Sequence, residues 1–173
     1  MTLYELQDDL ALKLKDIFNS YRIVNSSNKC TKVNIYEQNL PVKQNELKQQ
    51  HFPFVMVSVE MIDIQDRDSD EENYIYLLFG NYDTNTNKQG YKDIINMISM
   101  VKSKLMHEYM ICGKYELGFP LKCVFQEEDT YPCFYGGMEL KFNIPNIGTK
   151  QYIDDDFIDC ENIDINENME DMI

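Results

Sequence analysis

The chain reads as an α+β protein: an antiparallel or mixed β-sheet with two main helices packed on one face, in the order α-β-β-β-α-β-β. Two observations predict it. Between His51 and Pro145, apolar and polar side chains alternate through FPFVMVSVEMID and NYIYLLFGNYD. They then turn to helical spacing in QGYKDIINMISMVKSKLMHEY and return to alternation in YPCFYGGMELKFNIP. The gap Asp63–Glu72 between the first two runs is too short for a crossover, so those strands pair antiparallel as a hairpin with a long acidic tip.

The elements follow in chain order. Thr2 as N-cap with Glu5 three residues later forms a capping box, and Leu3, Leu6, Leu10, Leu14, Ile17 and Tyr21 recur at helical spacing. That helix fades near Asn19–Tyr21, and Asn25–Asn28 reads as loop. KVNIYEQ, residues 32–38, alternates as one strand, and 39–51 is a surface excursion. Strands follow at 53–62 and 73–82; the first sets Val55, Val57, Val59 and Met61 against Met56, Ser58, Glu60 and Ile62. The second helix opens at Lys88–Gly90. Its core face is Tyr91, Ile94, Ile95, Ile98, Val101 and Leu105, its wet face Lys92, Asn96, Ser99, Lys102 and Ser103, and Gly113 its C-cap. Strands near 119–126 and 133–144 complete the body, with Gly136–Gly137 marking a bulge or a close approach of backbone.

Length and charge bound the function. The 173 residues suffice for one domain with one core, taken as 1–150, followed by an acidic arm or tail, 151–173. Of the formal charge of −14, nine units come from that tail, which holds no Lys or Arg, so residues 1–150 carry a net −5. This balance argues against a primary grip on nucleic acid, which Lys and Arg would have to supply. No apolar run reaches the roughly 20 residues of a membrane span, and the start lacks a signal pattern. Five cysteines without a C-x-x-C pair read as reduced thiols in a cytoplasmic protein, mostly packed as small apolar groups.

Catalytic patterns fail one by one. Asp66, Asp68 and Asp70 resemble the opening of a calcium loop, but its sixth and twelfth positions are Glu71 and Leu77 instead of Gly and an acid, leaving a solvated hairpin tip. His51 and His107 have no Cys or acid at zinc or triad spacing, and no phosphate loop, H-E-x-x-H or G-x-S-x-G is present. The expectation is a non-enzyme without cofactor or metal. Contact regions are expected at the hairpin tip (Asp66, Asp68, Asp70, Glu71, Glu72) and at the turn before the second helix (Asp83, Asn85, Asn87). The third is the tail, where Ile153, Phe157, Ile158, Ile163, Ile165 and Met169 are threaded among the acids. Two readings of the tail stand: a docking arm that grips a neighbouring subunit or partner, and a solvated tail.

The order of segments carries a resemblance. HFPFVMVSVEMID, then YIYLLFGNYDTNTNKQGYKDIINMISMVKSKL, then YELGFPLKCVFQEEDTYPCFYGGMELKFNIP, covering roughly residues 51–146, resembles the tail-terminator (tail-completion) proteins of long-tailed bacteriophages and prophages of low-GC Gram-positive bacteria. The resemblance implies a small α/β subunit that assembles in the host cytoplasm and ends in the virion. There it forms a homohexameric ring on the last ring of tail-tube protein, stops tube growth and meets the head-completion or connector protein. In a contractile tail it also contacts sheath protein. DNA would pass an acidic bore without specific binding, because like charge prevents phosphate capture. The competing expectations are another neck or head–tail joining protein, and an acidic DNA-mimic or inhibitor module. The mimic should spread acids over the folded body, whereas the excess here sits in the tail.

Overall fold

A computed structural model describes residues 2–24, 30–41, 48–66, 69–108, 110–126 and 130–144. Helix α1 (Leu3–Ile17) starts as its sequence requires. Glu5 N–H donates to Thr2 Oγ1 at 3.2 Å and the Thr2 N–H to Glu5 Oε2 at 2.9 Å, so the two residues satisfy each other's orphan groups. Leu6, Leu10, Ala11 and Leu14 are fully buried on one stripe. The helix stops before Tyr21, which folds back so that its ring meets Phe18 at 5.8 Å between centroids.

The run 32–38 is two strands and not one. β2 (Cys30–Lys32) pairs with β1 (Arg22–Val24) in a small antiparallel sheet, whereas β3 (Asn34–Glu37) joins the main sheet. Alternation cannot reveal this, because it records which face a side chain takes and not which strand lies alongside.

The main sheet has the order β3-β4-β5-β8-β7-β6, with β4 Phe54–Asp63, β5 Glu71–Tyr82, β6 Met110–Ile111, β7 Tyr115–Phe125 and β8 Cys133–Ile144. It is mixed: β3 runs parallel to β4, and every other neighbour is antiparallel. The β4–β5 hairpin forms as expected, Val55 opposite Phe79 and Val57 opposite Leu77. One extra residue between Val59 and Met61 breaks the alternation, and Met61 is half-exposed instead of facing the core. A second irregularity lies between Gly118 and Lys122, around Pro120, which has no N–H to give to the ladder.

Helix α2 (Gln89–His107) lies beside α1 on the same face of the sheet. Its buried stripe is Gly90, Asp93, Ile94, Met97, Ile98, Val101 and Leu105. Tyr91 is exposed, its ring edge-on to Phe125, and Ile95 is half-buried; Met97 takes the core place that neither fills. The expected wet face is exposed throughout. Gly113 does not cap this helix, which ends at Glu108. At φ +65 it forms the tight turn between β6 and β7, the left-handed conformation in which glycine costs least.

The layers meet over one core, in which Val55, Val57, Ile75, Leu77, Phe79, Met138, Leu140 and Phe142 of the sheet face the apolar stripes of both helices. Each such buried side chain is worth roughly 1.5–3 kcal/mol of burial, which is why these positions outrank surface ion pairs in holding the fold. At the centre Gly136 lets α2 approach: a Cβ there would lie 2.7 Å from Ile94 Cγ2 and 2.8 Å from Ile98 Cδ1. The β5–β8 register runs through Gly136 and Gly137 without a shift, so the pair marks close approach and not a bulge.

Candidate functional site

Strand alternation gives every strand of the main sheet a second face. Opposite the helices it presents Phe54, Met56 and Ser58 from β4, Tyr74, Tyr76, Leu78 and Tyr82 from β5, and Tyr135, Glu139 and Lys141 from β8. Among the described residues neither α1 nor α2 lies on it; the 3-10 turn Lys48–His51 reaches its β3 edge, where the His51 ring meets Tyr36 at 5.8 Å between centroids. Most of these side chains are half-buried, and Phe54, flanked by Tyr36 and Phe52, is fully buried. An apolar sheet face that the helices leave open is of the kind that marks an interaction site.

The face divides along the strands. At the end formed by the start of β4, the end of β5 and the start of β8, aromatic rings cluster. Phe52 meets Phe54 at 5.1 Å, Tyr135 at 6.0 Å and Tyr82 at 6.2 Å between centroids. In the middle Tyr76 lies across Gly137, the space a side chain would fill. At the other end are ion pairs: Lys141 Nζ to Glu72 Oε1 at 2.8 Å, with Tyr74 Oη donating to Glu72 Oε2 at 2.9 Å, and Lys122 Nζ to Glu139 Oε2 at 2.9 Å.

The electrostatics follow. Hydrogen bonds from Lys141 and Tyr74 hold the Glu72 carboxyl below its ordinary range, while the same contacts raise Lys141 and Tyr74. Burial pushes the Tyr76 phenol up, helped by the nearby Glu60 and Glu139. Neutral phenols therefore line the middle of the face at physiological pH.

The two loop regions singled out by sequence sit at opposite ends of this face. Asp66, Asp70, Glu71 and Glu72 belong to the hairpin tip at the ion-paired end; Asp68 lies outside the described residues. Asp66 and Asp70 are exposed, and the tip is closed by Asp66 N–H to Ser69 Oγ at 3.0 Å. Glu71 and Glu72 are half-buried, and Glu72 is engaged by Lys141.

The turn between β5 and α2 is different in kind. Asp83 is only 2 % exposed, and its carboxylate accepts from the Asn85 N–H at 3.1 Å and Asn85 Nδ2 at 3.3 Å. Asp83 and Asn85 thus shape the turn from within, and Asp83 offers nothing to a partner. Asn87 is exposed; its Oδ1 accepts from the Gln89 N–H at 3.1 Å at the start of α2. Beneath lies Asp93, which sequence reading missed. It is 7 % exposed and accepts from Gln89 Nε2 at 2.9 Å and Asn81 Nδ2 at 3.2 Å. Burial, reinforced by Asp83, raises its pKa.

The proposed docking residues Ile153, Phe157, Ile158, Ile163 and Ile165 lie outside the described residues. His51 stands beside β3, with its Nδ1 3.4 Å from Tyr36 Oη, whereas His107 ends α2. Cys30 and Cys112 are exposed free thiols, against the expectation that the cysteines are mostly packed; Cys123 and Cys133 are half-buried. Among the described residues no group of three His, Cys, Asp or Glu is placed to hold a metal ion. None of the helices among the described residues is long and apolar enough to cross a membrane.

The sheet face was legible in part. Tyr74, Tyr76, Leu78 and Tyr82 alternate with Ile75, Leu77, Phe79 and Asn81, so β5 is apolar on both faces. A strand with helices on one side only then has apolar side chains left over. No protein-family model matches the chain, and no curated protein matches it.

Proposed function

We propose that the chain is a structural ring subunit that caps a phage tail tube, a tail terminator without catalytic activity. The observation that carries this reading is the uncovered face of the main sheet, with its aromatic cluster at one end and acidic hairpin tip at the other. A β-sheet subunit that leaves large side chains without cover is suited to packing against copies of itself. The two ends suit different neighbours. The twelve residues of β5 hold them about 35–40 Å apart, so one small partner cannot occupy both. In this reading the subunits close a hexamer laterally, one end meets the tail-tube protein and the other the head-completion or connector protein. DNA passes the acidic bore without being held.

The α+β body is consistent with the small subunit that the segment order implies. The placement of charge supports the ring over a DNA mimic, because the largest acidic excess lies in residues 151–173 and not on the sheet.

The test is tube growth. Tail-tube protein polymerising in the presence of this chain should give tubes that stop lengthening, each with density at one end. Tubes that grow at the same rate and to the same length with and without it would overturn the reading.

A further inference from the structure

The outer surface of the helical layer has a groove between α1 and α2. It encloses about 500 Å³, with Ile17, Tyr21 and Met100 along its floor and Ser99 and Lys104 on its α2 wall. All three floor side chains are half-buried, so apolar surface remains to be covered.

Its electrostatic setting is unusual for this chain. Within a molecule of formal charge −14, α2 carries Lys92, Lys102 and Lys104 and a single acid, Asp93, which is buried. Among the described residues none of the three lysines stands in an ion pair with a carboxylate. Lys92 shares a helical stripe with Asn96, Ser99 and Ser103, which line the groove, whereas Lys102 lies on the other flank of α2, beside Cys123 of β7. At the end of α2, Glu108 pairs with Lys13 and also feels Lys104, so Lys104 is partly compensated there.

One segment has the complementary chemistry. Residues 151–165 interleave Ile153, Phe157, Ile158, Ile163 and Ile165 with six acids and no base. We propose that this segment docks in the α1/α2 groove of its own subunit. Its apolar side chains cover Ile17, Tyr21 and Met100, and its acids face Lys104 and, further along α2, Lys92. The proposal does not depend on the ring reading.

Reach decides between this and a second copy. The described chain ends at Ile144, next to Asn143, which pairs with Glu116 of β7; Glu116 pairs with Met110 of β6, just past the end of α2. The lateral distance is two strand spacings, about 10 Å, and the step up to the helical layer is roughly 8–10 Å. The run back along α2 from its end to Met100 is about 10 Å, which makes roughly 17 Å in a straight line. The eight residues 145–152 span up to about 26–29 Å when extended. The groove is therefore within reach, and tethering gives an effective concentration on the order of millimolar, which a separate copy at micromolar concentration does not match. The other apolar surface is a poor host. Exposed Glu60 and Glu116 flank the open sheet face, and its lysines Lys122 and Lys141 are already paired.

Cys160 lies within the segment and serves as the reporter. In the full chain carrying Cys30→Ser and Cys112→Ser, Ser99→Cys places a thiol in the groove, and Ser58→Cys on the open sheet face serves as control. A short bismaleimide should link Cys160 to the Ser99→Cys site within monomers, at a rate independent of protein concentration and about tenfold or more above the Ser58→Cys control. Adding Lys92→Glu and Lys104→Glu, or raising salt to about 0.5 M, should reduce that advantage severalfold. Equal rates at the two sites would mean a solvated tail, and links found only in dimers would mean a second copy. Either result overturns the proposal.

Discussion

Gly136 and Gly137 are neighbours on β8 that face opposite sides of the sheet, and this makes them a paired probe of the architecture. At Gly136 an added Cβ would stand 2.7 Å from Ile94 Cγ2 and 2.8 Å from Ile98 Cδ1, where ordinary contact begins near 3.4 Å. α2 or its side chains would have to retreat by about 0.6–0.7 Å. Both isoleucines are buried in the core, and β-branched chains have little rotamer freedom to give. Overpacking of this kind costs about 1–3 kcal/mol, and removing a glycine from a strand returns about 0.5–1 kcal/mol.

Gly136→Ala should therefore cost about 0.5–2 kcal/mol net, which in a chain of this size lowers Tm by about 1–8 °C. At Gly137 the obstacle is the hydroxyl end of Tyr76, which is half-exposed on the open face and can swing toward solvent. Gly137→Ala should then lie within about 0.5 kcal/mol of the parent, because the strand gain offsets the displaced ring. Urea titrations of the two variants, with unchanged m-values, measure the difference. Gly137→Ala destabilising as much as Gly136→Ala would refute the assignment of one covered and one open face.

Other consequences can be measured on the same footing. Thr2→Ala removes the acceptor for the Glu5 N–H and should cost about 1 kcal/mol in urea unfolding; no loss would mean that the capping box contributes nothing. Asp93 has a raised pKa in the folded state, so its contribution is fully present below the ordinary carboxylate value of 3.8 and is lost as pH rises through the higher folded value. Asp93→Asn should accordingly flatten this part of the stability profile, gaining on the parent as pH rises above 3.8. A stability difference between the two that does not change with pH would contradict the assigned cause.

The sequence carried the hairpin, the second helix and the last strand well because each is governed by local periodicity. β8 ends where Pro145 follows, and the hairpin follows from the shortness of Asp63–Glu72. What escaped depends on non-local pairing. β1 is three residues long and finds β2 only across the segment between them, and the split at Val33 reflects two different partner strands. The bulge after Val59 coincides with Gln38, whose Oε1 accepts from the Val59 N–H at 3.0 Å, a contact twenty-one residues away in sequence. In the candidate site, the acids of the hairpin tip were legible from charge density alone. The inward orientation of Asp83 was not, because a carboxylate before a helix reads the same whether it caps, packs or protrudes. The open sheet face needed the topology, since only the placement of both helices on one side leaves Met56, Tyr76 and Leu78 uncovered.

The central claim is that this open face joins copies of the chain into a ring on a tube end. The most direct measurement is mass photometry with negative-stain imaging of the purified chain across concentrations, alone and with tail tubes, beside Leu78→Lys. The account predicts six-copy rings, or caps confined to tube ends, and their loss in Leu78→Lys with the far-UV circular dichroism unchanged. A parent chain that stays monomeric at every concentration and ignores tube ends would contradict it, as would rings that form equally well with Leu78→Lys.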